Sequence, residues 1–200
     1  PLARLRSPGI PASIIQRAMN QRTSLMSPTL QTLPRDDGFR MPAEWEPHAG
    51  TWMIWPERPD NWRLGAKPAQ QAFVAGATAI AEVEPVTMLV SAGQGENARQ
   101  RLPAHIRLVE ATTNDAWCRD HGPVFLINPE TRQRLVVDWG HNAWGGKYPP
   151  YDDDNRTPLA VAEHLGLLTV QPGIIMEGGA VEFNGAGSLL TSRSCLLNPN

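Results

Sequence analysis

Residues 67–90 read KPAQQAFVAGATAIAEVEPVTMLV, and two periods meet in that stretch. In its first part Ala69, Ala72, Phe73, Gly76, Ile80 and Val83 recur at spacings of three and four, the interval that returns side chains to one face of an α-helix. Pro68 falls in the first turn, where a missing N–H removes no helical hydrogen bond, and Pro85 stands just past the end. Residues 86–90 are then apolar, short and rich in Val, which predicts a buried strand. A helix feeding into a buried strand is the unit of an α/β protein.

Working outward, residues 96–101 predict a helix and residues 106–109 a strand, bounded by Pro103 and the turn cluster Thr112-Thr113-Asn114-Asp115. Residues 124–128 and 135–139 flank Pro129-Glu130-Thr131 as a hairpin, residues 159–165 predict a helix, and residues 167–170 a strand. Residues 180–183 and 188–191 form a second hairpin around Asn184-Gly185, a pair that accepts the positive φ of a tight turn. The succession is strand-strand-helix-strand, a mixed α/β fold.

Composition removes several function classes. The net charge of −2 argues against a nucleic-acid surface. No apolar run approaches the roughly 20 residues of a membrane span. Cys118 and Cys195 lie far apart and form no CxxC pair, so neither a disulfide framework nor a zinc ribbon is supported, and two free thiols in a reducing cytoplasm are expected. Residues 1–34 stand apart, with Arg4, Arg6, Arg17 and Arg22 and no Asp or Glu. Such a leader is either an organelle transit peptide or an upstream stretch without a folded role, ahead of a start near Met26. With four of the 18 basic residues and none of the 20 acidic ones in that leader, residues 35–200 carry a net charge of −6, a field that suits a cationic ligand. The chain opens at Pro1 rather than Met and stops after Leu196-Leu197, so it is read as a piece of something longer.

Chemistry concentrates in Asn114-Asp115-Ala116-Trp117-Cys118-Arg119-Asp120-His121-Gly122-Pro123, expected as a loop between two strands. A planar cation would use both Asp120, whose carboxylate accepts paired N–H bonds, and Trp117, whose indole face offers stacking. The alternative is an Arg119–Asp120 ion pair with Trp117 filling the core. In Met176-Glu177-Gly178-Gly179, the two glycines either let backbone approach a ligand or make a bend. The aromatic stretch Trp52 to Trp62 either lines a pocket or packs at a strand end, and Asn142-Ala143-Trp144-Gly145-Gly146 is expected as a loop. Asp152-Asp153-Asp154 lacks the Gly and Glu of a calcium loop and is expected as a solvated turn. The five histidines show no metal-ligand spacing. Cys118 is a poor nucleophile candidate because Asp115 and Asp120 would raise its pKa, and Cys195, in an apolar setting, is expected to be a buried, inert thiol.

Taken together, residues 36–48, Trp52 to Trp62, Asn114 to Pro123, Asn142 to Gly146 and Glu177-Gly178-Gly179 resemble, in this order, the agmatine deiminases of the bacterial peptidyl-arginine deiminase family, in the guanidine-modifying superfamily. The resemblance begins near Asp36 and runs to Asn200. It implies a five-bladed α/β propeller, of which this chain would be the amino-terminal part, with residues 35–200 an incomplete catalytic domain and residues 1–34 disordered or outside the fold. It implies hydrolysis of agmatine to N-carbamoylputrescine and ammonia on the route to putrescine, with Asp120 and Glu177 as catalytic and substrate-binding carboxylates and Trp117 packing on the substrate. It also implies no metal and no organic cofactor, a small guanidino substrate as partner, no nucleic acid or membrane, a homo-oligomeric parent and a cytoplasmic location. In relatives, a Cys thiolate attacks the guanidinium carbon and a His assists water; their Gly-His-Ile/Val-Asp and Gly-Asn-Ile-His-Cys motifs do not occur in these 200 residues. The nucleophile and the His are therefore expected beyond residue 200, and this piece alone is expected to be inactive. Peptidyl-arginine deiminase and a non-catalytic polyamine-binding remnant remain as alternatives.

Overall fold

A computed structural model describes residues 28–197. Strand β1 (Thr51–Ile54), helix α1 (Lys67–Ile80), strand β2 (Val86–Val90), helix α2 (Gly95–Arg101) and strand β3 (Arg107–Glu110) build a parallel sheet in the order β1-β2-β3. Parallel neighbours need crossover connections, and α1 and α2 supply them. Central β2 is covered on both faces, which is why it is apolar almost throughout. Val86, Met88 and Val90 join Trp55, Ala77, Ala98, Leu102 and Ile106 in one core. Leu89, one residue out of phase, points the other way, to Ile54, Ala116 and Val161.

Helix α1 departs from its expected face. It ends at Ile80, and Val83 is 86% exposed in the following turn. Ala72 is also exposed, whereas Gln70 and Ala77 are buried. The face turns toward position 70 because the Gln70 side-chain amide donates to the Pro56 carbonyl at 3.0 Å, giving a buried polar group its partner.

The second sheet holds β4 (Val124–Ile127), β5 (Arg134–Val137) and β6 (Leu168–Val170). The hairpin β4–β5 is antiparallel, and β6 returns parallel to β5 after helix α5 (Thr157–Leu165). Ahead of it, Ala143–Gly146 forms the one-turn helix α4. Pairing starts inside the stretch read as a leader: Thr29 bridges Thr169, and the Leu30 N–H donates to the Thr169 carbonyl at 2.7 Å. Residues 1–27 of that stretch lie outside the described residues. The third sheet is the hairpin of β7 (Val181–Phe183) and β8 (Leu189–Thr191), turned at Asn184-Gly185 with Gly185 at φ 73°, and α6 (Arg193–Leu196) follows. Cys195 on α6 is exposed rather than buried as expected, because this one-turn helix buries none of its residues. The mixed α/β class expected from the sequence is the observed one.

Candidate functional site

The stretch from Asn114 to Pro123 is not loop throughout. Residues Cys118–His121 close the one-turn helix α3, with the Trp117 carbonyl accepting from the Asp120 N–H at 2.9 Å and from the His121 N–H at 3.1 Å. Glu177 arrives from the far side of the second sheet. Gly140 bridges Ile175, the Met176 N–H donates to the Gly140 carbonyl at 3.0 Å, and the chain then enters a 3-10 turn at Gly178–Ala180. That turn packs on α3, and only glycines fit there: a Cβ at Gly178 would overlap the Arg119 carbonyl, and one at Gly179 would overlap Asp120 Oδ1. The two glycines thus serve close approach, with α3 as the surface approached.

This contact brings Asp120 and Glu177 together. Burial first, and the Glu177 charge second, push the Asp120 carboxyl above its ordinary value, while Arg119 pulls it down. Arg119 does not pair with Asp120. Its guanidinium goes to Glu44 and, at 3.0 Å, to Glu182, both on the exposed side of the turn. Among the described residues no hydrogen bond is made by the side chain of Asp120 or Glu177; the donors nearby go to Asp115 and Asp154. Asp120 and Glu177 thus lie side by side, and their proximity together with burial holds the Asp120 carboxyl above its usual range.

Trp117 is not core either, being 37% exposed. Its ring lies tilted on Trp62 at 5.3 Å between centroids and meets Trp144 edge to face at 6.1 Å. Trp62 therefore belongs to this aromatic group, whereas Trp55, from the same Trp-rich stretch, is fully buried in the first core. Trp144 sits on backbone that no sequence signal announces. Ala143, Trp144, Gly145 and Gly146 all have positive φ, at 52°, 56°, 82° and 74°, so α4 is a turn of left-handed helix. For Ala143 and Trp144 that conformation costs about 1–2 kcal/mol each.

Burial and the Asp120 charge push the Cys118 thiol up to about 12. It stays protonated near neutral pH and cannot supply a thiolate. Asp115, expected to add to that effect, does not: its carboxylate is turned to Asn61, Trp62 and Trp117. The acidic run at 152–154 is not simply a solvated turn. Asp154 is buried and accepts the N–H groups of Asn114 and Asp115 at 2.7 and 2.9 Å. His121 is buried beside it and pushed down to about 3 by burial and by His141, which makes it a weak base. A cleft of about 900 Å³ borders the Cys118 and Arg119 side of α3. Its acids there, Glu44 and Glu182, are both paired with Arg119. Among the described residues no cluster of His, Cys, Asp or Glu is placed to hold a metal ion.

The chain is 54% identical over 178 residues to the agmatine deiminase of Ectopseudomonas mendocina, covering 86% of this chain and 48% of that protein. It is 52% identical to the agmatine deiminase of Pseudomonas putida over the same shares. Among solved structures, the agmatine deiminase of Enterococcus faecalis, described as catalysing its reaction, superposes with a TM-score of 0.83 at 42% identity, over 86% of this chain and 48% of that one. The chain spans about half the length of the curated relatives it matches. Residues 40–200, which include every strand and helix that places Asp120 beside Glu177, match one family description throughout. On that match the chain belongs to the Porphyromonas-type peptidyl-arginine deiminase family.

Proposed function

We propose that this chain is the substrate-binding part of an agmatine deiminase, which hydrolyses agmatine to N-carbamoylputrescine and ammonia. One observation carries the proposal: Asp120 and Glu177 share a site, and the adjacent guanidinium, Arg119, is spent on Glu44 and Glu182. A guanidinium substrate supplies what is missing, a planar cation whose N–H groups pair with carboxylate oxygens and whose face stacks on an indole such as Trp117. The high identity to agmatine deiminases supports agmatine over arginine within a peptide.

In the reaction a thiolate attacks the guanidinium carbon, the C–N bond breaks and ammonia leaves. Water then cleaves the C–S bond of the thiouronium, giving the substituted urea and restoring the thiolate. Cys118, held at about 12, does not fill that role. The sulfur and the proton-transferring His are assigned to sequence beyond residue 200, and the three sheets to successive blades of a five-bladed propeller with the site on its axis. Asp120 and Glu177 orient the guanidinium and balance its charge while the sulfur approaches. No helix among the described residues is long and apolar enough to cross a membrane. A cytoplasmic location and a homo-oligomeric parent complete the proposal.

The test is product analysis on the full-length protein. Agmatine should yield N-carbamoylputrescine and ammonia in equal amounts. Citrulline formation in arginine-containing peptides, with agmatine untouched, would transfer the assignment to the peptide-directed alternative. The 200-residue chain alone should release no ammonia, and release abolished by Cys118→Ala would return the nucleophile to this half.

A further inference from the structure

Five residues before Asp120, Asp115 is used in the opposite way. Its buried carboxylate accepts four N–H groups: Asn61 Nδ2 at 2.7 Å, Trp62 Nε1 at 2.8 Å, the Ala116 backbone at 2.8 Å and Trp117 Nε1 at 3.0 Å. The indoles are divided between its oxygens, Trp62 on Oδ1 and Trp117 on Oδ2. The two rings so held are the tilted pair at 5.3 Å and 30°. Asp115 is itself fixed from behind, because its own N–H and that of Asn114 both donate to Asp154 Oδ1. The segment carrying Trp62 is anchored independently. Buried Arg58 donates to the carbonyls of Tyr148, Pro149 and Pro150, which follow the left-handed turn that presents Trp144.

The Trp117 N–H helps to serve the buried Asp115 carboxylate, yet the ring it fixes is 37% exposed, so the same bond that stabilises the fold also sets the plane of an exposed indole. Holding that ring in a set plane matters for a ligand that stacks. The ring also belongs to the residue whose carbonyl accepts the Asp120 N–H, so a shift of Trp117 reaches the turn bearing Asp120. We propose that Asp115 is a positioning residue, whose carboxylate clamps Trp62 and Trp117 into one wall for the planar cation held by Asp120 and Glu177. This rests on the guanidinium assignment made above. An amide does not reproduce the clamp, because the two indole N–H groups donate to different oxygens and one of them would face the donor NH2 of Asn.

The experiment is a double-mutant cycle in the full-length protein with agmatine as substrate, read alongside the circular dichroism of the stacked indoles. Asp115→Asn should raise KM by about tenfold or more, in line with a lost hydrogen bond to a charged acceptor, with a smaller change in kcat. Trp117→Phe lacks the N–H, so adding Asp115→Asn to it should change KM by less than about threefold, the mark of coupled residues. The Trp–Trp exciton signal should vanish in Asp115→Asn while unfolding stays cooperative. Should that variant fail to fold, Trp62→Phe, which removes one donor and keeps the carboxylate, should raise KM in the same direction. An unchanged KM, or multiplicative effects in the double variant, would overturn the role of Asp115. If the wild-type protein does not act on agmatine, it is the guanidinium assignment that fails, and the exciton signal still decides the clamp: its persistence in Asp115→Asn would refute it.

Discussion

Asp115 and Asp120 are five residues apart on the two sides of Trp117, and their surroundings are opposite. Asp115 is buried and carries four N–H donors. Asp120 is partly buried, faces the Glu177 charge and receives no side-chain hydrogen bond among the described residues. A buried carboxylate that is fully served belongs to the scaffold, whereas one left unserved beside a second carboxylate weakens the fold until a cation arrives. On the proposed function, the difference separates a residue that builds the site from one that uses it, and mutation can break it.

The largest effect is expected at Asp120. Charge-assisted hydrogen bonds contribute about 1.5–3 kcal/mol each, so Asp120→Asn should lower kcat/KM for agmatine by roughly two to four orders of magnitude. Its effect on stability should have the other sign. An acid raised in the fold is disfavoured as the anion relative to the unfolded chain, so stability falls as pH rises from the ordinary carboxylate range through the folded value. The amide carries no such charge, and at pH 7 its thermal midpoint should equal or exceed that of the wild type. Calorimetry alongside steady-state kinetics checks both halves. A variant that loses stability and keeps activity would make Asp120 a scaffold residue like Asp115.

Next comes Gly179→Ala, which forces a Cβ onto Asp120 Oδ1. Overpacking of this kind costs about 1–3 kcal/mol, and it should also displace the carboxylate, so midpoint and activity should fall together. Gly146→Ala, on open left-handed backbone with nothing near its Cβ, should cost stability only. Equal losses of activity at the two sites would show that the close packing of the glycine turn on α3 is not what places Asp120.

Much of the fold was legible because its signals are local. The helix–strand junction at 67–90, the hairpin at Asn184-Gly185 and the β4–β5 hairpin each sit within a few residues of their cause. Asp120, Glu177 and Trp117 stand out as candidates in the sequence, but taken alone their stretches leave a structural ion pair or a bend open, and only the ordered resemblance of five separated stretches to one family implies their roles. What stayed hidden is nonlocal. Asp115 has its meaning through Asn61 and Trp62, more than fifty positions upstream, and Asp154 through backbone N–H groups forty positions away. The left-handed turn at Ala143–Gly146 begins on Ala and Trp, residues that disfavour positive φ, so no propensity points to it.

A smaller effect concerns the buried pair behind the clamp, His121 and Asp154, whose Nε2 and Oδ1 are 3.6 Å apart. His121 is pushed down to about 3, so its contribution is complete above its ordinary value of 6.5 and is lost as pH falls from there. Asp154 is pushed up to about 6, chiefly by burial, so acidification from about 6 toward its ordinary 3.8 returns stability. Between pH 6 and 4 the two oppose each other. Asp154→Asn keeps an acceptor for the two backbone N–H groups and removes the opposing term. Its urea midpoint should therefore fall more steeply than the wild type's from pH 6 to 5, and parallel curves would show that the pair does not offset.

The smallest effect should be at Arg119, although it is the charged neighbour of Asp120 in sequence. Its partners Glu44 and Glu182 are about half exposed, and ion pairs of that kind contribute about 0–1 kcal/mol. Arg119→Gln should thus shift the unfolding midpoint little. Its informative consequence is electrostatic, since Arg119 pulls the Asp120 carboxyl down. Removing it should raise that carboxyl further, so the acid limb of the pH profile for agmatine kcat/KM should move to higher pH while the plateau stays near wild type. A fallen plateau with an unmoved limb would mean that Arg119 touches the substrate, and the division between scaffold and site would then run through α3 itself.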